Sequence, residues 1–365
     1  MKIKTRILSI LILFIFLLMP AFPGSQAAAQ EQQTVKYETG FYYTVQKGDT
    51  LWDLSQKFSD TPWQWPEMWK ENSQIANPHL IYPGQRIRLY RRRGAQGYGE
   101  IAPTGQKTST GQKASTGQKA STKDKTVADN PELTNMLHFH YAALDRVGFI
   151  RKDPIQSQGS IFKVDGNKEM ISTGDLVYIR PGDDASLVKG SKLTIYRTLR
   201  PIKARQTNEF IGIQHYLTGA LEITIVRPDF VLARIVAAYR PIKVGDLLMP
   251  YYRRLPQIGM QQSPEGLEGH IIESEEHREM FGESDIAFID KGEQEGVRTG
   301  QLYWIFKQEK YQINPEDKNE TTLTPVLLGE LLVLHTEKTT ATVMITDSLR
   351  AIEAGTKIIT PFKLE

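Results

Sequence analysis

The sequence contains no cysteine. Disulfides, thiolate metal sites and cysteine nucleophiles are therefore excluded, and so is a lipid anchor on an N-terminal cysteine. Stability has to come from ordinary burial, for which the chain is long enough to form more than one core. Excess charge is also missing. Lys2, Lys4 and Arg6 carry the whole formal charge of +3, leaving 42 basic against 42 acidic side chains in the rest. A chain in charge balance has no electrostatic case for nucleic acid, whereas a neutral glycan suits it.

Catalytic signatures are also lacking. No G-x-S-x-G element occurs beyond the first thirty residues. His138-Phe139-His140 imitates the second half of a zinc peptidase motif, but His79, the only earlier histidine, lacks an Asp four positions on. The pair also falls in a predicted helix, where i and i+2 face different ways. Catalytic residues, metal and cofactor are all expected to be none. Paired carboxylates have no fixed spacing, so an unrecognised hydrolase site in residues 130–365 is the alternative. The run from Ile272 to Glu279 mixes charges at helical spacing and reads as a solvated face.

The first residues look like an export signal. A basic start, an apolar run from Ile7 to Phe22 and Ala27-Ala28-Ala29 fit a cleavable signal peptide over residues 1–29, with an uncleaved anchor as the alternative. No transmembrane segment is expected after cleavage. This places the protein in the cell envelope: the periplasm of a Gram-negative cell or the surface of a Gram-positive one.

Residues 42–90 form a compact segment. Thr50 and Asp53 have capping-box spacing. Leu51, Leu54 and Phe58 share one helical face, and Trp65, Met68, Trp69 and Asn72 share a second stripe. Tyr82-Pro83-Gly84-Gln85 suits a type II turn, after which Ile87 and Leu89 alternate inward. The predicted order is βααβ.

Tyr43-Thr44-Val45-Gln46-Lys47-Gly48-Asp49-Thr50-Leu51-Trp52 and Asn77-Pro78-His79-Leu80-Ile81-Tyr82-Pro83-Gly84-Gln85-Arg86-Ile87-Arg88-Leu89 resemble the lysin-motif (LysM) family at both ends of the module. The resemblance implies peptidoglycan as the partner, bound through N-acetylglucosamine-containing glycan. It also implies a groove between two loops: Gly48, Asp49, Thr50 and Leu51, and Asn77, Pro78, His79, Leu80 and Ile81. Trp65 and Trp69 read as core; Trp52 and Trp63 read equally as core or as sugar-stacking surface.

Residues 91–129 form a predicted flexible linker carrying TGQKTS, TGQKAS and TGQKAS in tandem. Asn130-Pro131-Glu132 predicts a helix running to about Val147. From Gly148 the pattern becomes β. Leu217 to Tyr251 aligns without a gap on Leu327 to Pro361, 110 positions on, and Thr173-Gly174-Asp175-Leu176 aligns on Thr299-Gly300-Gln301-Leu302 at a longer offset, implying sixteen extra residues in the first copy. The expected fold is therefore multi-domain. A small βααβ module precedes a mainly-β region of two tandem repeated modules, barrel- or sandwich-like: 130–252, with the helix, and 269–365. The reading is a non-enzymatic wall-binding protein whose linker gives reach and whose residues 130–365 meet an envelope protein; a subunit of an envelope export complex is a further alternative.

Overall fold

The computed structural model describes residues 38–89 and 137–361, except Asp60, Asp184, Gln206 and 313–319. The expected signal peptide, the TGQK repeats and the Asn130 cap lie outside the described residues. Among the described residues, no helix is long and apolar enough to cross a membrane.

The N-terminal module has strand β1 (Gly40–Thr44), helix α1 (Leu51–Phe58), helix α2 (Trp65–Lys70) and strand β2 (Arg86–Arg88). The local chemistry works as the spacing predicts. Thr50 Oγ1 accepts from the Asp53 amide at 3.1 Å and donates to the Asp53 carboxylate at 2.6 Å. Leu51, Leu54 and Ile87 are buried, and Trp65 and Trp69 pack against the same core.

Over the described residues 137–147 the predicted helix is not formed. Leu137–His140 is a strand, β3, and only Leu144–Arg146 makes a single 3-10 turn. Propensity is overridden by partners distant in the chain. β3 pairs with β1 on one side (Phe41 opposite Phe139) and with β11 (Gln257–Gly259) on the other. As a strand it puts His138 and His140 on one face, where both rings lie against Tyr42.

The remaining strands run in chain order. They are β4 (Phe149–Arg151), β5 (Gly159–Val164), β6 (Leu176–Pro181), β7 (Lys192–Lys203), β8 (Phe210–Val226), β9 (Val231–Ala238) and β10 (Leu247–Pro250). Beyond β11 come β12 (Glu268–Ser274), β13 (Met280–Phe281), β14 (Ile286–Ile289), β15 (Leu302–Lys307), β16 (Lys310–Tyr311) and β17 (Thr321–Thr322). The last are β18 (Val326–Thr336), β19 (Ala341–Ser348), β20 (Ile352–Glu353) and β21 (Lys357–Ile359). Strands β12-β14-β19-β18-β15-β21 close a barrel. Strands β8-β7-β10-β5-β6-β9 are hydrogen-bonded in that order, and β9 returns to β8, so they also form a ring. Closure leaves neither ring with an open edge.

The two rings share a register. Ile161 faces Ile179 in the first, and Ile271 faces Ile289 in the second. Leu221 opposite Ile235 corresponds to Leu331 opposite Ile345, with bulges at matching places. Ile195 opposite Gly219 corresponds to Ile305 opposite Gly329. Every such pair is 110 positions apart, upstream as well as downstream. The sixteen-residue insertion expected from the Thr173 block is therefore absent: Gly174 corresponds to Ser284, and Gly300 corresponds to Gly190. Ile235 exchanges amide bonds with Gly174 and Asp175 just as Ile345 does with Ser284 and Asp285. One turn type recurs several times in each ring. In it the residue after a positive-φ glycine folds its side chain onto the amide three positions back. Asp175 on Ser172, Asp246 on Lys243 and Gln301 on Arg298 are examples, at 2.9, 3.0 and 2.8 Å.

Ser284 occupies the glycine position of that turn with φ 71°. A side chain there costs about 1–2 kcal/mol, more than the chain entropy it removes. Ser284→Gly is expected to stabilise the protein by about 0.5–1 kcal/mol, seen as a higher urea midpoint with unchanged slope. A lower midpoint would mean the serine hydroxyl stabilises the turn by more than its strain.

The module is docked onto the second barrel. Its sheet is widened to four strands, β11-β3-β1-β2. One apolar cluster then runs from Phe41, Leu54 and Met68 through Phe139 and Ile258 to Leu332, Leu334 and Met344, with Ile286 and Leu302 packed against it. At the corresponding places of the first ring stand Glu222, Thr224, Arg234, Leu176 and Lys192. The hydrophobic effect thus selects the second barrel and not the first. The expectation that the linker lends reach is corrected accordingly, because the segments on either side of it belong to one packed body.

Residues 147–151 run between the rings. The Gly148 amide donates to Glu275 Oε1 at 2.7 Å, and Arg240 holds Glu275 Oε2 at 2.8 Å. Thr342 and Thr340 hydroxyls donate to the carbonyls of Gly148 and Ile150. Glu275 is therefore buried and paired, not part of a solvated face. Burial pushes its carboxyl up despite the opposing pull of Arg240.

Candidate functional site

The two expected loops play different parts. In the first, three residues are engaged within the module. Asp49 accepts from the Gln46 amide at 2.7 Å, and Tyr43, whose hydroxyl is pushed up by burial and by this carboxylate, bonds to it. Thr50 caps α1, and Leu51 is buried. Only Gly48, at φ 97°, leaves open space beside its backbone.

The second loop is built to present a surface. Asn77 Oδ1 accepts from the His79 amide at 3.0 Å, and the Asn77 carbonyl accepts from Leu80 at 3.0 Å. This tight turn throws Leu80 outward, leaving it 53% exposed. Ile81 packs back on the core. The Tyr82 carbonyl accepts from Gln85 across the Pro83-Gly84 turn at 3.0 Å, and Tyr82 is 63% exposed. Trp69 Nε1 donates to the Ile75 carbonyl at 2.7 Å and ties the start of the loop to α2.

A shallow depression of about 460 Å³ lies here, lined by Gln74, Ile75, Ala76, Asn77, Leu80, Tyr82, Pro83 and Gln85. Its lining includes no charged residue. Of the nine expected site residues, Asn77 and Leu80 line it; Gly48, Asp49, Thr50, Leu51, Pro78, His79 and Ile81 do not. His79 instead faces the Trp65 ring at 6.2 Å. Gln74, Ile75, Ala76, Tyr82, Pro83 and Gln85 were missed. The signal for Tyr82 was present in the sequence: an aromatic residue just before a Pro-Gly turn is displayed at its corner. Trp52 and Trp63, left open by the sequence, are exposed and meet edge to face at 4.9 Å.

A second depression, of about 490 Å³, lies at the end of the first ring, lined by residues including Val188, Ile225 and Val226. Neither depression is lined by a carboxylate. Among the described residues no cluster of three or more His, Asp or Glu could hold a metal.

The depression is uncharged and mostly apolar, with amide side chains and an exposed phenol in its lining. Residues 43–89 match the LysM domain family, whose members bind peptidoglycan and related glycans. The same segment is similar to the uncharacterized protein YqbP of Bacillus subtilis (strain 168), with 42% identity over 57 residues. That match covers 13% of this chain and 26% of the length of YqbP.

Proposed function

We propose that this protein is a non-enzymatic cell-envelope protein that holds peptidoglycan at the Gln74–Gln85 depression. A neutral sugar offers hydroxyls, an acetamido group and a flat apolar face. Leu80 and Tyr82 supply apolar contact, and Asn77, Gln74 and Gln85 supply amide donors and acceptors. The observation that carries the reading is the exposure of Leu80 and Tyr82 within a LysM domain docked on its barrel. Binding glycan therefore needs no release of the module. On this reading the barrels are two copies of one module, the shared register being its support. Their outer surfaces are what an envelope partner would meet.

The test is co-sedimentation of the full chain with insoluble peptidoglycan. Tyr82→Ala combined with Leu80→Ala is expected to weaken pelleting about tenfold or more, a loss of about 1.4 kcal/mol. Asp53→Ala at the helix cap should change only stability. Unchanged pelleting by the double variant, or muropeptides released by the parent protein, would refute the assignment.

A further inference from the structure

Residues 147–155 strap the first ring to the second barrel. On the barrel side the Thr340 and Thr342 hydroxyls hold the strap, and Arg151 lies 3.4 Å from Glu337. On the ring side β4 pairs with β8, with Phe149 opposite His215. His215 is fully buried. Its ring stacks on Phe149, with centroids 4.9 Å apart, and on Tyr196, at 5.4 Å.

Both nitrogens of His215 are engaged by main-chain groups of fixed polarity. Nδ1 lies 3.1 Å from the Ile213 carbonyl, which can only accept, so Nδ1 carries the proton. Nε2 lies 3.3 Å from the Ile155 amide, which can only donate, so Nε2 is bare. The fold therefore requires the neutral ring in one tautomer. A proton on Nε2 would point one N–H at another and break the bond that holds Ile155. The charged neighbours do not compensate. Arg151 repels a charged ring, and Glu337, which attracts it, is already shared by Arg151 and His335. His335 lies against Phe149 as well, at 5.4 Å, and faces Arg254 and Glu293. Tyr196 is pushed up by burial and stays neutral. Burial holds the imidazoles of His215 and His335 below their ordinary value.

We propose that His215 is a pH-operated catch on this strap. Neutral, it pins residues 149–155 to the first ring; protonated, it releases them. The rings stay joined by Arg240 on Glu275 and by Arg200 on Glu273, so acid loosens the joint without parting them. Below about pH 6.5 the open strap takes up a proton that the closed one refuses. Opening is thereby favoured up to about tenfold per pH unit, until the closed form itself titrates. Glu275, which holds the Gly148 amide, works in the opposite direction, because burial raises its carboxyl and acid relieves that cost. The catch does not depend on where glycan binds.

Imidazole NMR and hydrogen exchange on the full chain, between about pH 7.5 and 5.5, test this. The His215 proton should sit on Nδ1, and the ring should stay mostly neutral at about pH 6.5. Amides of residues 149–155, corrected for intrinsic exchange, should open about tenfold more often at the acid end. Those of Ile179 and Ile195, inside the first ring, should keep their protection. His215→Gln should abolish the pH dependence, whatever level of opening it sets, and His335→Gln should retain it. If the His215 variant does not fold, the proton position and titration in the parent protein decide. A proton on Nε2, half-protonation of His215 at or above about pH 6.5, or an acid response that survives His215→Gln overturns the proposal.

Discussion

Leu332→Asp is expected to loosen the LysM module from the second barrel while leaving the barrel closed. Leu332 is fully buried, yet it points away from the barrel interior, into the cluster shared with Phe41, Phe139 and Ile258. Its inward neighbours Leu331 and Val333 stay in place. Removing the leucine leaves a cavity, and the new carboxylate has no partner there. The expected cost is about 4 kcal/mol or more. Hydrogen exchange separates the effects. Amides of Phe41–Thr44 and Leu137–His140 should exchange much faster, while those of Val343 and Ile345 should keep most of their protection. Glu222→Asp, at the corresponding place of the first ring, should cost within about 0.5 kcal/mol. If the barrel amides lost protection together with the module, module and barrel would unfold as a single cooperative unit, and separate loosening of the module would be refuted.

Asn72→Ala is expected to unseat β2, at a cost of about 3–4 kcal/mol. Asn72 is completely buried. Its Nδ2 donates to the carbonyls of Met68 at 2.6 Å and Arg88 at 2.8 Å, and its Oδ1 accepts from the Arg88 amide at 2.7 Å. One side chain therefore stands in for the neighbouring strand that β2 lacks on its outer edge. Alanine would leave both main-chain groups of Arg88 unpaired, each worth about 1–3 kcal/mol when buried. Urea unfolding monitored by the module's tryptophans should shift accordingly, and pelleting with peptidoglycan should fall with it. A loss below about 1 kcal/mol would show that water takes over these bonds.

Local chemistry made much of the module legible. The Thr50–Asp53 reciprocal bonds, the Pro83-Gly84 turn and the inward Ile87 each depend on residues within a few positions of one another. Residues 137–140 show the opposite case. Leu-His-Phe-His after a Pro-containing cap suits a helix locally, but two strands from distant parts of the chain claim its backbone. Glu275 looked like solvated charge because its partners, Arg240 and the Gly148 amide, are 35 and 127 positions away. The docking face had a sequence signal that went unread. LEITI in the first ring alternates, as a strand with one wet face does, whereas LLVLH in the second is apolar at successive positions, the mark of a strand covered on both faces.

By itself, the sequence determined the βααβ module, its family resemblance and the strand periodicity of the region from Gly148 onward, because these rest on short-range spacing. Tertiary structure alone decided that residues 137–140 are a strand, that the module sits on the second barrel, and that the second loop of the module is displayed while most of the first is consumed by capping and packing. Those outcomes depend on which distant surfaces can bury apolar area and satisfy backbone polar groups together, and no local window of residues contains that information.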